Sequence, residues 1–266
     1  MDFQLDEEFR LLNETVNKFV ENELMPLEAA VLEREAHGGS HELTDEELAP
    51  LHDKCRELGL WGLDCPAETG GADLPAIALV GVNEALGRTI TPFTFPPDSP
   101  NLHMLLATAN DQQKEKYLEP YARGETISAI AISEPGAGAD PAGMTTRAVR
   151  DGDDWVLNGR KIWISRMDKA DFSIVMAITD PEKGSRGGIS AFLVDRDTPG
   201  LEITRKILLI GGHYNYEIAF VDCRLPASQL LGVEGQGFAP MQLRLIVRRL
   251  EMGAWCLGTA RRALDM

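Results

Sequence analysis

The sequence predicts an α+β protein. An N-terminal all-α domain (residues 1–124) is followed by a middle β-barrel or sandwich domain (125–228), then by helix again (229–266). Three observations carry this reading. Up to about Arg123 apolar residues recur at helical spacing. From Thr126 to Val221 the apolar runs are short, β-branched and alternating, with turn residues between them. After Pro226 the helical period returns and continues to Met266.

Each element has its own signal. Phe9, Leu12, Val16, Phe19, Val20 and Leu24 repeat at three and four from residue 6 to about 35, and Pro26 marks a bend or restart. Thr44-Asp-Glu-Glu47 reads as a capping box for a helix to Leu58, which Gly59 ends. Leu60 to Gly71 is a loop, and Leu74 to Leu86 is a helix closing at Gly87. The proline-rich stretch Thr91–Pro100 is irregular, and Leu102–Ala109 and Gln112–Arg123 are short helices. In the middle region Ala129–Ile132 reads as a buried strand, and Asp151-Gly-Asp-Asp154 as a turn. Asn158-Gly159, between Trp155-Val-Leu157 and Lys161-Ile-Trp-Ile164, reads as a two-residue hairpin turn. Further strands are expected at Phe172–Ile178, Gly188–Val194, Leu201–Lys206 and Tyr216–Val221. Pro240 suits the first turn of the last helix, which meets no stop signal and is expected to continue into a longer domain.

Composition narrows the function classes. The chain has 266 residues, 44% hydrophobic and 26% charged, as in ordinary globular proteins. With 26 Lys+Arg against 42 Asp+Glu the net charge is −16, which argues against nucleic acid as a partner. Cys55, Cys65, Cys223 and Cys256 form no CxxC pair, so a reducing cytoplasm is expected and a disulfide framework is not. The five histidines have no metal-ligand spacing, so no metal site is expected. The N-terminus lacks the zones of a signal peptide, and no apolar run has the length of a membrane span.

Two stretches carry chemistry. Ser133-Glu-Pro-Gly-Ala-Gly-Ala-Asp140 follows a strand with almost no side-chain bulk; its glycines permit φ > 0 and can turn bare N–H groups toward an anion. In Lys161-Ile-Trp-Ile-Ser165, Trp163 and Ser165 lie two apart and so share a strand face. A flat indole can cover a flat ring, and the hydroxyl can bond a ring nitrogen. Taken singly, Trp163 reads first as a core aromatic and Ser165 as a strand-end cap.

The two stretches, in this order between helical regions, resemble the acyl-CoA dehydrogenase family. So do Pro66-Ala-Glu-Thr-Gly-Gly-Ala72, Asp111-Gln-Gln-Lys-Glu-Lys-Tyr-Leu118, Val221-Asp-Cys-Arg-Leu-Pro226 and Gly235-Gln-Gly-Phe238. The resemblance implies that residues 229–266 begin a C-terminal helical bundle. It also implies FAD-dependent α,β-desaturation of an acyl-CoA thioester, with hydride transfer to flavin N5. By the same resemblance Ser133 bonds the flavin pyrimidine edge, the backbone of Ile130 and Ile132 lines that edge, and Gly138 and Ala139 take the pyrophosphate or the CoA chain. Trp163, Ile164 and Ser165 form the flavin wall, Ser165 standing where the family has Thr. Arg249 matches a position that contacts CoA; Arg186 falls near such a position, but reads first as a solvated turn arginine. The implied partners are an acyl-CoA substrate, an electron-accepting flavoprotein and further copies of the chain, as dimer or tetramer, if the C-terminal domain is present. The implied location is the cytoplasm, or the mitochondrial matrix after removal of a transit peptide.

Departures from the family pattern leave alternatives open. Ala139 replaces Ser, Arg166-Met167 replaces Asn-Gly, Ile246 replaces a pantetheine-bonding Asp, and Arg248 stands where some members carry the catalytic Glu. No residue is assigned as catalytic base; Glu134 is read as structural because it ends a strand and precedes a proline. The alternatives are a non-catalytic or partner-dependent subunit on this fold, and a flavin oxidase or monooxygenase relative.

Overall fold

The computed structural model describes residues 5–140, 143–210 and 212–266. Its contacts divide the chain into two compact units. One comprises Met1–Asp98, Gly211–His213 and Leu245–Met266; the other comprises Ser99–Ile210 and Tyr214–Arg244.

The first unit is helical. Helix α1 (Glu7–Phe19) runs through Val20–Leu24 and a 3-10 turn at Met25–Leu27 into α2 (Glu28–Ala36), with Pro26 at the expected break. Helix α3 (Asp45–Glu57) carries the expected capping box: Thr44 accepts from the Glu47 N–H and Glu47 accepts from the Thr44 N–H. Helix α4 (Ala76–Leu86) completes the layer. Val16, Phe19, Val20, Leu24, Leu51 and Val82 are among its buried core. Phe93 and Phe95 stack with Phe19 at centroid distances near 5.6 and 5.5 Å, which makes Phe93 a core residue. Arg262 grips Glu28 with both guanidinium nitrogens and Thr259 donates to the Gly87 carbonyl, tying the last helical turns to α2 and α4.

The second unit holds α5 (Leu102–Thr108) and a helical run from α6 (Asp111–Gln113) through Lys114–Leu118 to α7 (Glu119–Ala122). Its strands are β1 (Ser128–Ala131), β2 (Arg147–Asp151), β3 (Asp154–Ser165), β4 (Phe172–Ile178), β5 (Ile189–Asp195), β6 (Leu201–Leu208), β7 (Tyr214–Pro226) and β8 (Leu230–Leu231). They follow the path β6-β7-β3-β2-β4-β5-β8, with β1 parallel to β4. Strands β2 and β4 share a single register pair, Arg147 with Ile178. Across the core Trp155 of β3 meets Phe192 of β5 edge-to-face at 5.3 Å. The eight strands form one sheet whose end strands, β6 and β8, do not pair with each other, so it is not a closed barrel and is consistent with the sandwich reading. Helix α8 (Phe238–Asp265) begins in this unit and ends in the helical one.

The Asn158-Gly159 hairpin does not form. Strand β3 runs straight through it, and the hairpin turn lies at Gly152-Asp153, joining β2 to β3. Asn158 instead accepts the Asp222 N–H at 2.8 Å, and the β3–β7 register slips between Leu157 and Gly159. A Cβ on Gly159 would lie 2.6 Å from the Thr146 Cα, so this glycine serves a close approach inside a bulge.

Candidate functional site

Strand β1 stops at Ala131, and the next residues are held from β3. The buried Lys161 ammonium donates to the Ile132 carbonyl at 3.0 Å and to Glu134 Oε1 at 2.8 Å. The Ile162 N–H donates to the Ser133 carbonyl at 2.9 Å. Glu134 and Ala137 exchange backbone hydrogen bonds at 2.9 and 3.1 Å, closing a tight turn. The two motifs, about thirty residues apart in sequence, thus meet through direct bonds.

Glu134 is committed to this joint. Besides Lys161 it accepts the Thr145 N–H (2.6 Å), the Thr145 hydroxyl (2.7 Å) and the Thr146 N–H (3.0 Å). Burial alone would push its pKa up. The Lys161 charge and the hydrogen bonds outweigh burial and hold it at about 2. Burial dominates at Lys161 and lowers it to about 8, against the pull of Glu134. A carboxylate anchored by four donors has no free capacity to take a substrate proton, which supports a structural role.

The same joint deforms β3. Because Ile162 donates to Ser133, the strand loses register with β7 between Lys161 and Ile164. Trp163 adopts φ +64° and stands 52% exposed between buried Ile162 and Ile164. Left-handed backbone at a bulky residue is a genuine outlier that persists only where neighbouring bonds impose it. The core-aromatic reading of Trp163 is thereby excluded. Ser165 is exposed on the same face, its hydroxyl donating to Asn215 Oδ1 at 3.1 Å. Arg166 follows at φ +63°, where a tight Asn-Gly turn was the family expectation.

The glycine loop differs from its sequence reading. Neither Gly136 nor Gly138 has left-handed φ, and a Cβ on either would meet nothing within 4 Å. Their smallness leaves the backbone open to approach rather than enabling a turn. Gly138 and Ala139 are exposed, while Ile130, Ile132 and Ser133 are half-buried. Among the described residues, neither the N–H nor the hydroxyl of Ser133 has a protein acceptor. Donors without an acceptor among the described residues, beside an open loop and joined to an exposed aromatic plane, fit a planar ligand with an acceptor edge and an anionic tail.

The substrate positions are less defined. Arg186 is exposed in the turn before β5. Arg249 is exposed on α8, in the helical unit, with no ion-pair partner among the described residues. Its neighbours are engaged: Arg244 donates to Asn101 at 2.9 Å and Arg248 to Glu251 at 2.9 Å. Ile246 is 53% exposed. Among the described residues no His, Cys, Asp and Glu side chains gather as a metal set.

Comparison with known proteins decides the family. The acyl-CoA dehydrogenase N-terminal domain matches residues 6–125 and the acyl-CoA dehydrogenase middle domain matches residues 129–223. Over its whole length the chain is 40% identical to (R)-benzylsuccinyl-CoA dehydrogenase of Thauera aromatica, covering 68% of that protein. The chain belongs to the acyl-CoA dehydrogenase family. A putative acyl-CoA dehydrogenase from Mycobacterium abscessus matches with a TM-score of 0.88 at 31% identity, over 99% of this chain and 69% of that one. The FAD complex of PigA matches with a TM-score of 0.81 at 29% identity, over 100% and 68%. The chain spans 62% to 68% of the length of curated family members it matches.

Sequence reasoning placed Lys161 in a motif and gave it no role. The signal was available: a charge opening the apolar run Ile162-Trp163-Ile164 must find a partner if the strand is buried.

Proposed function

We propose that this chain binds FAD and serves α,β-desaturation of an acyl-CoA thioester. The observation that carries the reading is the Ile162–Ser133 hydrogen bond, which joins the donor-bearing loop to the exposed Trp163. Ser133 would hold the pyrimidine edge with its N–H and hydroxyl, beside the backbone of Ile130 and Ile132. Trp163 would cover the ring, and Ser165 would exchange its Asn215 contact for a ring nitrogen. The open backbone at Gly138 and Ala139 would admit the pyrophosphate or the CoA chain. FAD, when bound, supplies the hydride acceptor.

Desaturation also needs a base for the acyl α-proton. Glu134 is excluded by its four donors and its low pKa. The base is therefore assigned outside the residues that form this wall. Arg186 and Arg249 would meet the CoA end, and a second flavoprotein would take the electrons. The full enzyme would be a homo-oligomer of the cytoplasm or mitochondrial matrix.

The test is reconstitution with FAD followed by anaerobic addition of acyl-CoAs of graded chain length. A flavin spectrum that bleaches with an acyl-CoA supports the reading. A flavin spectrum indifferent to every acyl-CoA overturns the enzymatic part and favours a non-catalytic subunit. Arg166 at φ +63°, beside Ser165, gives one ground for an oxygen-reactive relative, which rapid reoxidation by dissolved oxygen would reveal.

A further inference from the structure

The flavin reading assigns no task to the buried pair behind the loop, and this inference rests on that reading. We infer that Lys161 and Glu134 are positioning residues that aim the Ser133 donors and the Trp163 ring at the cofactor.

The argument starts with the Ile132–Ser133 peptide. Lys161 holds its carbonyl at 3.0 Å from the buried side. A trans peptide directs its C=O and N–H to opposite sides, so engaging the carbonyl inward turns the Ser133 N–H outward. The following carbonyl, of Ser133, is held by the Ile162 N–H, and the Glu134 N–H by the Ala137 carbonyl. Three consecutive backbone positions are thus fixed, while the Ser133 donors have no acceptor among the described residues.

Glu134 supplies the other half. Its carboxylate bridges Lys161 on β3 to Thr145 and Thr146, which lead into β2. The bridge sets the height of Lys161 under the loop. Two residues further, the bulge that lifts Trp163 begins at Lys161 itself. One ion pair therefore governs both contact surfaces. The arrangement suits specificity of position more than stability, because a buried pair of matched charges adds little net folding energy.

The experiment is FAD titration of the 266-residue protein, following flavin absorbance and fluorescence, with the thermal midpoint of each apoprotein measured in parallel. The variants are Lys161→Met, Glu134→Gln and a core control, Leu157→Ala, which lies outside both motifs in sequence and makes none of the bonds that join them. Lys161→Met is expected to weaken FAD binding at least tenfold and to shift the visible flavin band. Glu134→Gln is expected to weaken it about threefold, since the amide oxygen still accepts from Thr146. Leu157→Ala is expected to lower the apoprotein midpoint while leaving affinity and spectrum unchanged. If Lys161→Met fails to fold, the spectrum and affinity of Glu134→Gln decide instead. Wild-type affinity and an unshifted band in the folded variants would overturn the inference. Wild-type protein that takes up no FAD would overturn the flavin reading itself.

Discussion

The proposed flavin wall and helix α8 are built on opposite principles. In the wall, side chains with polar ends are buried and bonded to backbone, so the contact surface is set before any ligand arrives. Ile132, Ser133 and Glu134 are each held by a named partner on β3 or in the turn. On α8 Arg249, proposed to meet the CoA end, is exposed, and Ile246 presents an apolar side chain to solvent. A long, solvated arginine keeps its rotamer freedom and is ordered by what binds it. One region is pre-organised; the other presents solvent-exposed side chains.

The largest break in this contrast should come from Glu134→Ala. It strands the Lys161 ammonium without its counter-charge in a site with no water access, at a cost of about 3–5 kcal/mol. Denaturant unfolding measures it, and a loss below ~1 kcal/mol would show the joint to be dispensable.

A smaller effect should appear in acid. The folded-state pKa of Glu134 lies below its ordinary value, so its contribution to stability is complete above about pH 4.5 and is lost as pH falls toward 2. Wild-type stability should therefore fall through that window more steeply than that of Glu134→Gln, in unfolding series at fixed salt. Parallel curves would remove Glu134 from the acid response.

The smallest effect should be that of Arg249→Ala, within ~0.5 kcal/mol of wild type, because Arg249 is exposed and has no hydrogen bond or ion pair among the described residues to lose. If Arg249 serves CoA, the loss appears only as weaker acyl-CoA binding. A large destabilisation would mean that α8 is as pre-organised as the wall.

The contrast also marks what could be read from sequence. The helices, the capping box at Thr44 and strand β4 follow from periodicity and local hydrogen bonding, which neighbouring residues decide among themselves. The short strands β2 and β8 were missed because neither has enough apolar alternation to stand out. Asn158-Gly159 misled because a turn dipeptide and a bulge dipeptide need the same backbone freedom; pairing with β7 selected the bulge.

By itself the sequence determined the order of helical and β regions, and its two motifs signalled the family. Tertiary structure alone decided that Trp163 stands exposed on a left-handed residue, that Gly136 and Gly138 clear space rather than turn the chain, and that Lys161 and Glu134 lock the motifs together. The physical reason is the same in each case. These features depend on where one N–H, one carbonyl or one buried charge finds its partner, and that partner lies tens of residues away in the chain.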